Sequence, residues 1–281
     1  MMPTYRQLAV SLLRHAGLLA GAEWLRMRWA IIRSNRSEFL HDHGEVALPP
    51  DQSSYDAYGS LNWSNYWNSG RAAARFIADC VRSYGSQGRI LEWGCGPGRI
   101  IRHLPALLNG WEMFGTDYNA QSIEWCAANV SGATFAKNED LPPLPFPSGH
   151  FDCIYSVSVF THLSEDQHYL WIEELTRLLK PGGALICTLH GEACKDYLLP
   201  REVAQFESGR LVIRDGVQRG SRCFLAYHPE PFVKDSLLRG LQIIEHRRGN
   251  THPLGYQDLW IARKVIPETK AADVGRPAGR G

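Results

Sequence analysis

Arg89-Ile-Leu-Glu-Trp-Gly-Cys-Gly-Pro-Gly-Arg99 reads as a short apolar strand with an acid, Glu92, near its carboxyl end. A turn follows with glycine at 94, 96 and 98, and then a helical pattern over residues 99–104. Glycines at alternate positions let backbone approach a ligand closely, because no Cβ stands between them. The dinucleotide fingerprint Gly-x-Gly-x-x-Gly is not met, since Arg99 stands where its third glycine belongs. A tight strand-to-helix connection without any ligand would use the same glycines, so the residues downstream have to decide.

Roughly twenty residues on, at the separation where nucleotide-binding sheets carry a ribose acid, Trp111-Glu-Met-Phe-Gly-Thr-Asp117 reads as a second strand closed by Asp117. Its carboxylate could accept from ribose hydroxyls with Tyr118 and Asn119 beside the base, or it could cap the helix Ala120–Asn129. Ala133-Thr-Phe-Ala-Lys-Asn138 then leads into Leu141-Pro-Pro-Leu-Pro-Phe-Pro-Ser-Gly-His-Phe-Asp152 and a fourth strand over residues 152–158. The helix after it, residues 165–180, meets the stop Lys180-Pro-Gly-Gly183, and a fifth strand begins at Ala184.

In this order and spacing, the acid-x-Gly-x-Gly-x-Gly turn, Asp117, "LPFP" ahead of Phe151-Asp152 and "LLKPGG" resemble the class I S-adenosylmethionine-dependent methyltransferases over residues 66–191. The resemblance implies an α/β fold, a doubly wound Rossmann-like sheet of seven strands in the order 3-2-1-4-5-7-6 with the seventh antiparallel. It implies S-adenosylmethionine as cofactor, held by Glu92, Gly94, Cys95, Gly96, Gly98, Asp117 and Tyr118. Ser156, Val157 and Ser158, at the end of the fourth strand, are expected near the methionine moiety. Asn138 stands where many relatives carry an acid; its amide can accept from the adenine amino group, or the segment is a solvated loop. The family covers its cofactor with the segment before the first strand, which here is dense in aromatics and amides. Tyr66 and Arg71 could reach the cofactor's carboxylate. Alternatively Tyr58, Trp63 and Trp67 pack as a cap and Arg71 is a surface charge opening a helix over residues 72–83.

Methyl transfer from a sulfonium needs an aligned acceptor and, for a hydroxyl, a base. His162 is the first candidate base, though it could instead fix its own turn; His190 and Glu192 follow, with His228, His252 and Asp258 behind them. The acceptor is expected to be a small molecule, a saccharide or a lipid-linked intermediate, with oxygen favoured over nitrogen. Two rival readings are another nucleoside-using enzyme on the same sheet and a binding protein that keeps the cofactor site without turnover.

The chain has 281 residues, 44% hydrophobic, with a formal net charge of +1. That size supports one domain plus an extension, and that charge predicts no nucleic-acid partner. Seven scattered cysteines without a Cys-x-x-Cys pair read as reduced thiols, and His41-Asp-His43 as a solvated loop, so no metal is expected. Residues 1–60 form an N-terminal helical extension and linker, residues 61–266 the catalytic domain with an acceptor-side insertion at 191–228, and residues 267–281 a disordered tail. A long helical pattern over residues 5–32 is rich in arginine, which interrupts every window long enough to span a bilayer. It could pack on the domain or a second subunit, or lie on a membrane surface. The expected location is cytoplasmic with an option of peripheral membrane contact; the oligomeric state is left open.

Overall fold

The computed structural model describes residues 12–14, 16–217 and 222–266. The expectations for residues 5–11 and for the tail at 267–281 lie outside these residues. Seven strands form one sheet: β1 (Gly88–Trp93), β2 (Trp111–Asp117), β3 (Thr134–Lys137), β4 (Phe151–Ser156), β5 (Leu179–Leu189), β8 (Leu241–Arg247) and β9 (Asp258–Lys264). Their order is β3-β2-β1-β4-β5-β9-β8. β1 to β5 run parallel, and β9 is antiparallel to both of its neighbours. Counted along the core, this is the implied 3-2-1-4-5-7-6 with the seventh strand reversed.

The central strands β4 and β5 are nearly continuous apolar runs because both of their faces are covered. On one face Trp93, Phe160, Trp171 and Leu175 pack with Val233 and Leu237; on the other, Ala74, Ile77 and Val81 pack with Ile90, Ile100 and Leu104. The first layer is led by helix α6 (Glu165–Leu178) and the second by α4 (Trp63–Arg82). A reciprocal Ser164–Gln167 capping box starts α6, and Asn62, accepting from Asn65 N at 2.8 Å, starts α4.

Several elements differ from the sequence-based expectation. α4 begins nine positions before residue 72, because the Asn62 cap and the buried Trp63 and Tyr66 carry the helix upstream. The pattern at 99–104 becomes one 3-10 turn, Ile101–His103. There the Ile101 N–H is taken by Glu92 Oε2 at 3.0 Å, and Pro105 has no N–H with which to continue a helix. The polar stretch after Asn35 is not a loop but two short helices, α2 (Arg36–His43) and α3 (Asp51–Tyr58), which turn Phe39 and Tyr55 into a satellite core with Leu48, Leu61 and Trp63. The long N-terminal pattern is broken by a turn at Gly17 (φ 69°), beyond which α1 spans Leu19–Ile32. β5 starts at Leu179, so Lys180-Pro-Gly-Gly183 lies in an irregular strand entry.

Residues 191–228 hold a 3-10 turn (Glu192–Tyr197), helix α7 (Pro200–Glu207) and a hairpin of β6 (Val212–Arg214) with β7 (Leu225–Tyr227). After the insertion the chain forms one α-turn, Glu230–Phe232, followed by a π-turn, Val233–Leu237. Helix α5 (Ala120–Asn129) connects β2 to β3. Among the described residues no helix is long and apolar enough to cross a membrane.

Candidate functional site

The glycine turn leaves β1 with its amide hydrogens already committed. Gly94 N and Cys95 N both donate to Thr116 O, at 2.8 and 2.9 Å, and Gly96 N donates to Asp117 Oδ2 at 2.8 Å. Asp117 Oδ1 accepts from Asn119 N at 2.8 Å, and Asn119 in turn caps α5. Asp117 is therefore the brace of the turn. Burial pushes its carboxyl above the ordinary range, opposed by the backbone N–H groups it accepts from.

What the turn offers a ligand is room. A Cβ on Gly94 would lie 2.2 Å from Val159 Cγ2, and one on Gly96 (φ 49°) would lie 3.4 Å from both Ala57 Cβ and Tyr58 Oη. Gly98, like Gly94 against Val159, serves packing, since a Cβ there would meet Cys126 Sγ at 3.0 Å. Behind the turn Glu92 Oε2 accepts from Ile101 N and from Tyr155 Oη at 2.8 Å. Burial raises the Glu92 pKa to about 8, against those hydrogen bonds and the nearby Arg99 charge.

A cavity opens over the carboxyl ends of β1, β2 and β4, where strand order reverses. Three buried polar atoms on its wall have no partner: Tyr58 Oη, Arg99 Nε and Asn138 Oδ1. Leaving such atoms unmatched costs about 1–3 kcal/mol each, so a ligand that matches them recovers that energy. They fit S-adenosylmethionine. A carboxylate suits the Arg99 N–H, a hydroxyl or carboxylate suits Tyr58, and Asn138 Oδ1 is left to accept from an amino group because its Nδ2 donates to Glu139 O at 2.7 Å.

Of the residues expected from the sequence, Glu92, Gly94, Cys95, Gly96, Asp117, Tyr118, Asn138, Val157 and His162 line this cavity. Arg71 does not. Gly70 packs its helix face against Arg99, where a Cβ would lie 2.2 Å from the carbonyl oxygen, and the next residue on α4 is turned into solvent. Arg99 stands at the cavity instead. Ser156 is buried beside β5 and off the wall, since alternate strand residues face opposite sides. Glu192 also lies off both cavities described here, because the chain turns away at Gly191, which is packed against Asp258.

Sequence reasoning missed Arg99 and Arg222 and gave Tyr58 only a packing role, whereas Ser158, expected near the methionine moiety, lines the cavity with them. Ser158 carries a positive φ of 66°, rare for a residue with a side chain. It is held there by its N–H on Thr188 Oγ1 at 2.9 Å and by Gln257 Nε2 donating to its Oγ at 2.6 Å.

A second chamber adjoins the first and is lined by Asn62, Asn65, Tyr66, His190, Tyr256 and Gln257 among others. Tyr58, Arg99, Val157, Ser158, His162 and Arg222 line both. Two histidines on its wall are fixed by carbonyls around β7: His162 Nδ1 lies 2.7 Å from Phe224 O and His190 Nδ1 lies 3.1 Å from Ala226 O. A carbonyl can only accept, so each Nδ1 carries the proton and each neutral ring keeps Nε2 as its basic nitrogen. Burial lowers both pKa values, that of His190 to about 3. His228 and His168 form a separate buried pair, Nε2 to Nε2 at 2.8 Å. His252 Nε2 donates to Gln257 O at 2.8 Å within its own loop, and Asp258 pairs with His246 at 3.0 Å.

A braced glycine turn at the switch point of a doubly wound sheet, with an acid closing the next strand, defines a Rossmann-like nucleoside site. Residues 90–183 match the family model described as "Methyltransferase domain". This part of the chain is a class I S-adenosylmethionine-dependent methyltransferase domain. A Gallus gallus tRNA N(3)-cytidine methyltransferase is 27% identical over 168 residues, 56% of this chain and 44% of that protein. The malonyl-[acyl-carrier protein] O-methyltransferase of Enterobacter lignolyticus is 33% identical over 100 residues, 36% of this chain and 38% of that protein. The chain thus spans less than half the length of either relative, and their named acceptors differ in kind. A solved S-adenosylmethionine-dependent methyltransferase from Methanosarcina mazei shares the fold with a TM-score of 0.50 and 22% identity, over 66% of this chain and 97% of that one.

Proposed function

We propose that this protein transfers the methyl group of S-adenosylmethionine to an oxygen of a small-molecule, saccharide or lipid-linked acceptor held in the second chamber. The observation that carries the reading is the wall shared by the two cavities, on which His162 stands. Bound S-adenosylmethionine supplies a methyl group on a positively charged sulfur, which departs neutral. The residues then have to hold both partners and remove one proton. In this reading Arg99 and Tyr58 take the cofactor's carboxylate, Asp117 its ribose and Asn138 its adenine amino group. His162, neutral and fixed through Nδ1, takes the acceptor's hydroxyl proton on Nε2. His190 is the weaker candidate, because a ring with a pKa of about 3 holds a proton poorly near neutrality. Asn62, Asn65 and Tyr256 on the chamber wall suit hydroxyl-rich or ring-bearing acceptors.

The test is to incubate the protein with methyl-labelled cofactor and separated pools of cell-extract small molecules, saccharides, lipids and RNA, and to identify labelled products by mass spectrometry. An O-methylated product from one of the first three pools supports the reading. Label only in RNA overturns the acceptor class. Cofactor binding with no product in any pool would leave a binding protein, and binding of a nicotinamide cofactor instead would leave another nucleoside-using enzyme.

A further inference from the structure

Helix α1 has two unlike sides. Leu19, Glu23, Met27 and Ala30 face the protein: Met27 and Ala30 pack on the satellite core, and Glu23 pairs with Arg222. The outward side carries Leu18, Trp24, Leu25, Trp29, Ile31 and Ile32. Trp24, Trp29 and Ile32 are 57%, 59% and 74% exposed, a large apolar surface for one helix. Its charges are of one sign. Arg26, Arg28 and Arg33 are exposed, the guanidiniums of Arg28 and Arg33 lying 5.9 and 5.4 Å from the Trp24 and Trp29 ring centres. The one carboxylate of the helix, Glu23, is turned inward, where it pairs with Arg222 and with Arg26 of the same helix, leaving Arg28 and Arg33 as the outward charges.

From this we infer that the outward face of α1 docks on an anionic lipid surface, with the indoles and aliphatic side chains at the acyl boundary and the arginines at the phosphates. Tryptophan paired with arginine one turn away suits that interface, where one end of each group is apolar and the other meets headgroups. A second copy of the chain fits less well, because a two-fold contact would set the arginines of one face against those of the other. The charge argument is local, since the whole chain carries only +1. The helix also touches the walls of the chambers. Glu23 holds Arg222, which lines both, and ahead of the helix Arg14 donates to Asp215 O and Cys223 O of the β6–β7 connection, each at 2.6 Å. A docked α1 would therefore tie a residue on the wall of both chambers to the membrane-bound helix.

Flotation of the full chain with phosphatidylcholine vesicles, with and without phosphatidylglycerol, tests this without reference to methyl transfer. Binding is expected only with phosphatidylglycerol and should fall at high salt. Trp24→Ser with Trp29→Ser, and separately Arg28→Glu with Arg33→Glu, should each weaken it by about tenfold or more. The four positions are exposed, and unchanged thermal unfolding confirms that each variant is folded. No flotation of the parent chain, equal flotation of the variants, or concentration-dependent dimerisation abolished by the tryptophan pair in the absence of vesicle binding would each overturn the proposal.

Discussion

Gly96 and Asp117 act as one unit, since the carboxylate accepts the amide hydrogen of the glycine whose missing side chain leaves the cavity open. Gly96→Val would put a branched side chain at φ 49° and against Ala57 and Tyr58, and Asp117→Ala would strand two backbone donors. Each should weaken S-adenosylmethionine binding by roughly tenfold or more in calorimetry. Near-unchanged affinity in both would remove the site. Arg99→Ala should weaken cofactor binding while Arg71→Ala leaves it unaltered, because only the former lines the cavity. His162→Ala should lower kcat by about a hundredfold or more with cofactor affinity retained, as expected of a base and not of a packing residue.

Glu92 adds a pH effect whose sign follows from burial. Its folded pKa is raised from 4.5 to about 8, so the native state holds a proton that the unfolded chain has released. That contribution to stability is full below 4.5 and disappears as pH rises through about 8. Glu92→Gln should remove this slope, measurable as flatter denaturant midpoints between these limits.

At the scale of elements, β7 is fastened to the core through histidines. His162 and His190 donate to the carbonyls of Phe224 and Ala226, and His228 N donates to His190 O at 2.7 Å. Burial lowers the pKa of His190 to about 3 and of His168 to about 4, and that of His228 in the same direction. Depressed folded values mean that the unfolded chain binds more protons below 6.5. Stability should therefore fall as pH drops from 6.5 toward 4, by roughly 1.4 kcal/mol per pH unit for each such histidine. Urea unfolding across that range checks it; a flat midpoint would mean that these rings are already charged or exposed in the native state. The same fastening explains why the insertion forms part of the second chamber: its strand is tied to the ends of β4 and β5.

Elements were legible to different degrees for identifiable reasons. β1 and β2 are apolar runs closed by glycine or acid, and the family's motifs lie at the ends of β1, β2, β4 and β5, so these strands could be read and their order followed from the resemblance. The start of α4 was not read because its cap, Asn62, sits in a segment whose aromatics suggest a loose cover. A polar residue at a cap ahead of Trp63 and Tyr66 was the available signal. α2 and α3 were hidden by their polar composition: each buries only one or a few side chains, too few to make a period visible.

For the molecule as a whole, the cofactor cavity draws on α3, the glycine turn, the β2 and β4 ends and the insertion, so occupation should stabilise the native state broadly. S-adenosylmethionine or its demethylated product at about a hundred times its dissociation constant should add about 2.7 kcal/mol, raising the unfolding midpoint by about 5 °C or more for a chain of this size. Nicotinamide dinucleotides should produce no shift. A shift with them and none with the methyl donor would overturn the cofactor assignment.

By itself the amino-acid sequence determined the sheet, its reversal point, the glycine turn and the acid that closes β2, because each depends on neighbours in the chain or on motifs of short span. The placement of Tyr58, Arg99, His162 and Arg222 on common walls was decided only in three dimensions. These residues come from four separated segments, and the direction of each side chain is set by packing and hydrogen bonds from distant parts of the chain. Arg71 and Arg99 make the point: both are arginines near the site in sequence, but the close approach of Gly70 to the Arg99 backbone turns one to solvent and leaves the other in the cavity.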